Sequence, residues 1–121
     1  LVAVSVEDRC HYCTAAHTTS AEWQKLDLDA IEAVREGRPI AEPKLEALRQ
    51  FVVRAVRARG WLGDAELRAF IAAGFPQHVV LEVLMGVGLK TFSNYVNHVT
   101  ETPLDEAFQH NAFTPAARRV A

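Results

Sequence analysis

From Pro76 to about Val99 the chain is apolar almost all the way round: Val79, Val80, Leu81, Val83, Leu84, Met85, Val87 and Leu89 leave little room for a polar face. A helix with so little polar surface has to be covered, either at the centre of a domain or at a contact between subunits. No other segment constrains the fold as strongly. Gly86 and Gly88 lie within it. Each would weaken the helix by about 1 kcal/mol relative to alanine, so together they point to close approach by another helix.

The surrounding segments also read as helices. Between residues 43 and 59, Leu45, Leu48, Val52 and Ala55 recur at the 3.6-residue period, with Phe51 and Val56 widening the stripe. Pro43 suits the first turn and Gly60 the end. Asp27 or Asp29 caps a shorter helix through Ile31 and Val34 to Glu36, stopped by Gly37. A further helix runs from Asp64 to Ala73, with Leu67, Phe70 and Ile71 inward and Gly74 as its stop. Pro103 ends the apolar helix, and Leu104–Phe108 adds a turn. Residues 109–121 read as an irregular tail. No stretch alternates with period 2, and no repeat or low-complexity tract is present. At 121 residues the expectation is one all-α domain spanning residues 1–108, followed by that tail.

Composition narrows the function. A formal net charge of −2, with no basic stripe interleaved with aromatics, gives no reason to expect nucleic acid. Leu1–Val6 is too short to span a bilayer and lacks a basic flank, so neither a membrane span nor a signal peptide is expected. It reads instead as the last turns of a helix that begins upstream. Two cysteines close together do not make the framework of a secreted domain. They fit a reducing, cytoplasmic setting in which the pair is chemical.

That pair lies in Cys10-His11-Tyr12-Cys13-Thr14-Ala15-Ala16-His17, which also holds two of the five histidines. On a helix from Arg9 to about Gln24, capped by Asp8, residues 10, 13 and 17 share one face. The unpaired N–H groups and the dipole at a helix start favour a thiolate. A free thiol titrates near 8.5, and lowering it by about two units takes roughly 2.7 kcal/mol. A helix terminus supplies ~0.3–1 kcal/mol, and up to ~2 when partly buried. A second group is therefore needed, and His17, one turn past Cys13, is in reach as base or imidazolium partner. Helical residues three apart have Cβ atoms about 5–6 Å apart, against roughly 3.5–4.5 Å in a relaxed disulfide. A bond between them closes with distortion and is easily reduced.

Other readings of the same residues lead elsewhere. Buried free cysteines can be simple small hydrophobes. A zinc site on Cys10, Cys13 and His17 lacks the usual fourth ligand, so no metal and no other cofactor is expected. His11 points about 100° away from Cys10 and is expected to be exposed. Tyr12 either packs or brings its hydroxyl near the sulfurs. Trp23 is expected in the core, His78 at the surface, and His98 with Asn94 and Asn97 as satisfied polar groups or an interface. The charges of residues 42–59 read mostly as a solvated face.

The Cys-x-Tyr-Cys-x-x-x-His element followed by Thr resembles the AhpD-like branch of the carboxymuconolactone decarboxylase superfamily. Gly60, Asp64-Ala65-Glu66-Leu67, Ala73-Gly74-Phe75, Asn94-Tyr95-Val96-Asn97 and Thr102-Pro103-Leu104-Asp105 resemble that family's later landmarks. The resemblance covers most of residues 1–108 and implies a multi-helix bundle that oligomerises through its helices as trimers or hexamers. It implies a thiol peroxidase with Cys13 peroxidatic, Cys10 resolving and His17 as base and proton relay. His11 and Tyr12 stand by as supporting groups. The implied partners are a hydroperoxide and a lipoylated or thioredoxin-like reductant. Two departures are visible: Tyr12 stands where well-studied members have a histidine, and their upstream glutamate would fall before Leu1. The alternatives are a lactone decarboxylase or isomerase, which has no use for a dithiol, and a non-catalytic thiol sensor or assembly subunit.

Overall fold

A computed structural model describes residues 1–115. Six α-helices, α1 (Val2–Glu7), α2 (His11–Trp23), α3 (Leu28–Arg35), α4 (Pro43–Arg57), α5 (Asp64–Ala72) and α6 (Val79–Thr100), are followed by a 3-10 helix, Glu106–Asn111. No strand occurs among the described residues, so the all-α expectation holds. The short α1 is the hub: it packs on α2, α3, α4 and α6. Ser5 and Val4 on α1 are buried, as are Ala15, Ala21, Ala33 and Ala55 on its neighbours, so small side chains let the helices close around it. A second cluster joins α4 to α5, where Phe51, Phe70 and Phe75 stack with ring centroids 4.2 and 4.4 Å apart.

Chain reversals explain the helix boundaries. The first four helices end in the same motif: the residue after the cap takes the left-handed conformation, and the next N–H returns to a carbonyl five residues back. Those bonds are Cys10 to Ser5 (2.9 Å), Leu26 to Ala21 (3.0 Å), Arg38 to Ala33 (2.7 Å) and Gly60 to Ala55 (2.9 Å). Gly37 fills the left-handed seat after α3, but Arg9, Lys25 and Arg59 fill the other three. Asp27 caps α3 through the N–H groups of Asp29 and Ala30, and Pro43 opens α4 behind the Glu42 cap, both near the expected places.

Several expectations are corrected. Trp23 is 66% exposed, tilted against Phe108 rather than buried. The charges of residues 42–59 are mostly solvated, as expected, with one part-buried exception. Glu46 and Arg49 form a two-bond pair with side chains only 14% and 15% exposed, and Arg57 ties α4 to Glu7 on α1. The boundary at residue 108 falls inside the 3-10 helix, which is anchored rather than frayed. Asn111 bonds to Thr19 and Glu22, and Arg35 donates to the carbonyls of Asn111 and Ala112. The rest of the tail, 116–121, lies outside the described residues.

Helix α6 bears on one of the two coverings expected for the apolar run. Its only buried residues are Lys90 and Asn94, while Leu81, Met85, Leu89, Phe92, Tyr95, Val96 and Val99 are exposed. Among the described residues a Cβ at Gly86 or Gly88 would meet nothing within 4 Å, so neither glycine is needed for close approach by a helix there. Of the two ways to cover the apolar helix, burial at the centre of the chain is therefore excluded. By length and composition alone α6 could also cross a membrane. Its inward face, however, carries Lys90, Ser93, Asn94 and Asn97.

Candidate functional site: a buried dithiol between α2 and α6

The junction of α1 and α2 fixes the first cysteine. Asp8 does not cap α2, as its position suggests; it closes α1, and Arg9 with φ 60° makes the left-handed turn. Cys10 then plays two parts. Its N–H completes the end of α1, and its Sγ caps α2 by accepting the N–H of Cys13 at 3.3 Å. The motif helix thus begins at His11, not Arg9, with Cys10 seated over its first turn. The cysteines come within 3.2 Å of each other as free thiols. Both are shielded, Cys10 at 0% and Cys13 at 3% exposure.

Charge at the sulfurs reflects that burial. The N–H of Cys13 favours a Cys10 thiolate, but loss of solvent outweighs it and pushes the Cys10 thiol up to about 11. The helix start therefore does not make Cys10 a thiolate at neutral pH. Cys13 has a different setting: Asn97 on α6 donates from Nδ2 to its Sγ at 3.1 Å, and the second hydrogen reaches the Ser93 carbonyl at 3.1 Å. Asn97 is held in place by the turn before it. The fully buried Asn94 donates to Asp8 Oδ2 at 2.8 Å and accepts from Ser5 Oγ at 3.4 Å, locking α6 to α1.

His17 follows Cys13 by one turn on α2 and is half-buried. Burial first, then the charges of Lys90 and the chain's amino group, push it down to about 4. Of the two roles open to it, imidazolium partner or neutral base, neutral pH leaves only the base. Lys90 is 6% exposed, and its Nζ donates to Ser93 Oγ at 2.8 Å.

Tyr12 and His11 make no side-chain hydrogen bond to either sulfur among the described residues. The Tyr12 hydroxyl donates to Asp105 Oδ2 at 2.6 Å and its ring meets Phe108 edge-on at 6.0 Å, so it anchors the 3-10 segment to α2. His11 is exposed, as expected from its angle to Cys10. His78 is exposed before α6, and His98 is exposed beside Tyr95. Among the described residues no three His, Cys, Asp or Glu side chains converge to hold a metal. An apolar cavity of about 500 Å³ lies among α1, α3, α4 and α6, lined by Leu1, Val4, Ile31, Leu48 and Val87, with neither cysteine nor His17 in its wall.

Two residues of the site, Asn97 and Lys90, stand on a helix whose apolar run hides them. The readable signal was their spacing: Lys90, Asn94 and Asn97 fall at i, i+4 and i+7, a polar seam along an otherwise apolar helix. Compared with protein-family models and with curated proteins, the chain matches none.

Proposed function

We propose that this chain is a thiol peroxidase of the AhpD-like kind, reducing hydroperoxides through a Cys10–Cys13 dithiol/disulfide cycle. The observation that carries the reading is two free cysteines one helical turn apart, approaching to 3.2 Å at their nearest atoms, one of them accepting a hydrogen bond from a side-chain amide. Such a donor stabilises a thiolate at Cys13, whereas Cys10, held protonated by burial, suits the resolving role. The Cys13 thiolate attacks one peroxide oxygen, the O–O bond breaks, and the departing alkoxide takes a proton to leave as an alcohol. Cys13 is now a sulfenic acid. Cys10 attacks its sulfur, a disulfide forms and water departs, so the dithiol loses the two electrons the peroxide gains. Neutral His17 is the candidate to accept the Cys13 proton and return one to the alkoxide. A lipoylated or thioredoxin-like dithiol then reopens the disulfide by exchange, in a reducing compartment such as the cytoplasm.

Copies of the chain covering the outer face of α6 belong to the same proposal. Seven large exposed apolar side chains on one helix form a patch of the kind that marks an interface. The test of the activity is peroxide consumption by the reduced protein: it should clearly exceed that of Cys13→Ser, and equal rates would refute the reading.

The near-complete burial of both sulfurs favours a second reading, a slow-reacting thiol sensor without turnover. Alkylation rate against pH separates the two. A peroxidatic Cys13 reacts with a midpoint below that of a free thiol, while a sensor reacts slowly with an ordinary or raised one.

A further inference from the structure

We propose that Lys90 is the fixed cation of the dithiol site, a positioning residue that stabilises the thiolate formed on the cysteine pair. The inference rests on the dithiol reading above and extends it to a group outside the motif.

A buried ammonium is costly unless it is paired, and a lysine stem is long enough to carry its charge out to water. Lys90 does neither. It stays 6% exposed, and among the described residues no carboxylate lies within ion-pairing distance; its partner is the neutral Ser93 hydroxyl at 2.8 Å. A cation held inside without a counter-ion is out of balance in the resting dithiol. A thiolate formed within its electrostatic range would balance it.

The placement supports that assignment. Lys90, Asn94 and Asn97 share the inward face of α6, and Asn97 at the far end of this seam touches Cys13 Sγ at 3.1 Å. Seven residues of helix rise by about 10 Å, so a lysine stem at the near end still lies within electrostatic range of the sulfurs. The titratable groups that feel its charge are Cys10, at the cap of α2, His17 on α2 and the amino group ahead of α1; Asp8, between α1 and α2, is bonded to Asn94 one turn along the same seam. Against the dominant effect of burial, the Lys90 charge pulls Cys10 toward the thiolate, and it adds to burial in keeping His17 neutral. Both effects report the same nearby positive charge: it favours a thiolate and disfavours an imidazolium.

The test is thiol alkylation against pH in the reduced protein, together with NMR titration of the His17 ring, in the wild type, Lys90→Met and Lys90→Arg. Removing the charge should move the thiol midpoint up by about one unit, slowing alkylation at neutral pH about tenfold, and should raise the His17 midpoint toward its ordinary value. Lys90→Arg should stay close to wild type on both readouts. Lys90→Gln keeps a polar head for Ser93 and removes only the charge, so it carries the test if Lys90→Met does not fold. Unchanged thiol and His17 midpoints in the charge-removing variant would overturn the proposal. A shift in both midpoints in a protein that never consumes peroxide would uphold Lys90's role and dismiss the peroxidase reading.

Discussion

Under the proposed dithiol chemistry two side chains bear on the sulfurs, Asn97 and His17, and only His17 belongs to the cysteine motif. Asn97 contributes one hydrogen bond to Cys13 Sγ. A net hydrogen bond is worth about 0.5–1.5 kcal/mol, so Asn97→Ala should slow Cys13 alkylation at neutral pH roughly three- to tenfold. An unchanged rate would remove Asn97 from the site. His17 gives a signature in folding. Its native pKa, about 4, lies below the unfolded value near 6.5, so the unfolded chain binds a proton first as pH falls. Stability contributed by neutral His17 is complete above pH ~6.5 and lost as the pH drops toward 4. Allowing for partial solvent screening, the loss should be about 1–2 kcal/mol in denaturant titrations, and His17→Gln should flatten it. Glu46, held near 2 chiefly by Arg49, acts in a lower window, between its ordinary value and 2, so the two are separable.

At the scale of the helices, the joint between α1 and α2 is the device that builds the site. It spends Cys10 as both the end of one helix and the cap of the next. A hydroxyl caps better than a sulfur, so Cys10→Ser should keep or raise stability, by up to about 1 kcal/mol, while abolishing any disulfide. A large loss of stability in thermal unfolding would show that Cys10 is a packing residue. Arg9 holds the left-handed seat in the same joint, and Arg9→Gly should add about 1 kcal/mol by removing the Cβ strain. This joint also shows where sequence reading runs out. Asp8 looks like the better cap, and Arg9, Lys25 and Arg59 carry no glycine signal, yet all three close helices. Gly37, Pro43 and Asp27 were legible because each has a strong local preference that tertiary contacts did not override. Asn97 and Lys90 were obscured for a different reason: neighbour identity along α6 speaks only of apolarity, and which face turns inward is decided by contacts with α1, α4 and α2.

For the whole molecule, the proposed assembly would cover the apolar run with a second copy of the chain. The exposed stripe of α6 is close to self-complementary about residue 90: in an antiparallel pair Leu81 meets Val99, Met85 meets Tyr95, and Phe92 meets the open space beside Gly88. Phe92→Lys, which puts a charge at the middle of that stripe, should lower the mass seen by light scattering; the same mass in both proteins would place the contact elsewhere. The central claim concerns the two sulfurs, and the most direct measurement is mass spectrometry of the peptide carrying Cys10 and Cys13 after one equivalent of hydroperoxide. A loss of two hydrogen atoms that a dithiol reductant reverses, and that is absent in Cys10→Ser, is the predicted result. Two thiols left intact, or a terminal sulfinic acid on Cys13 with no bond to Cys10, would contradict it.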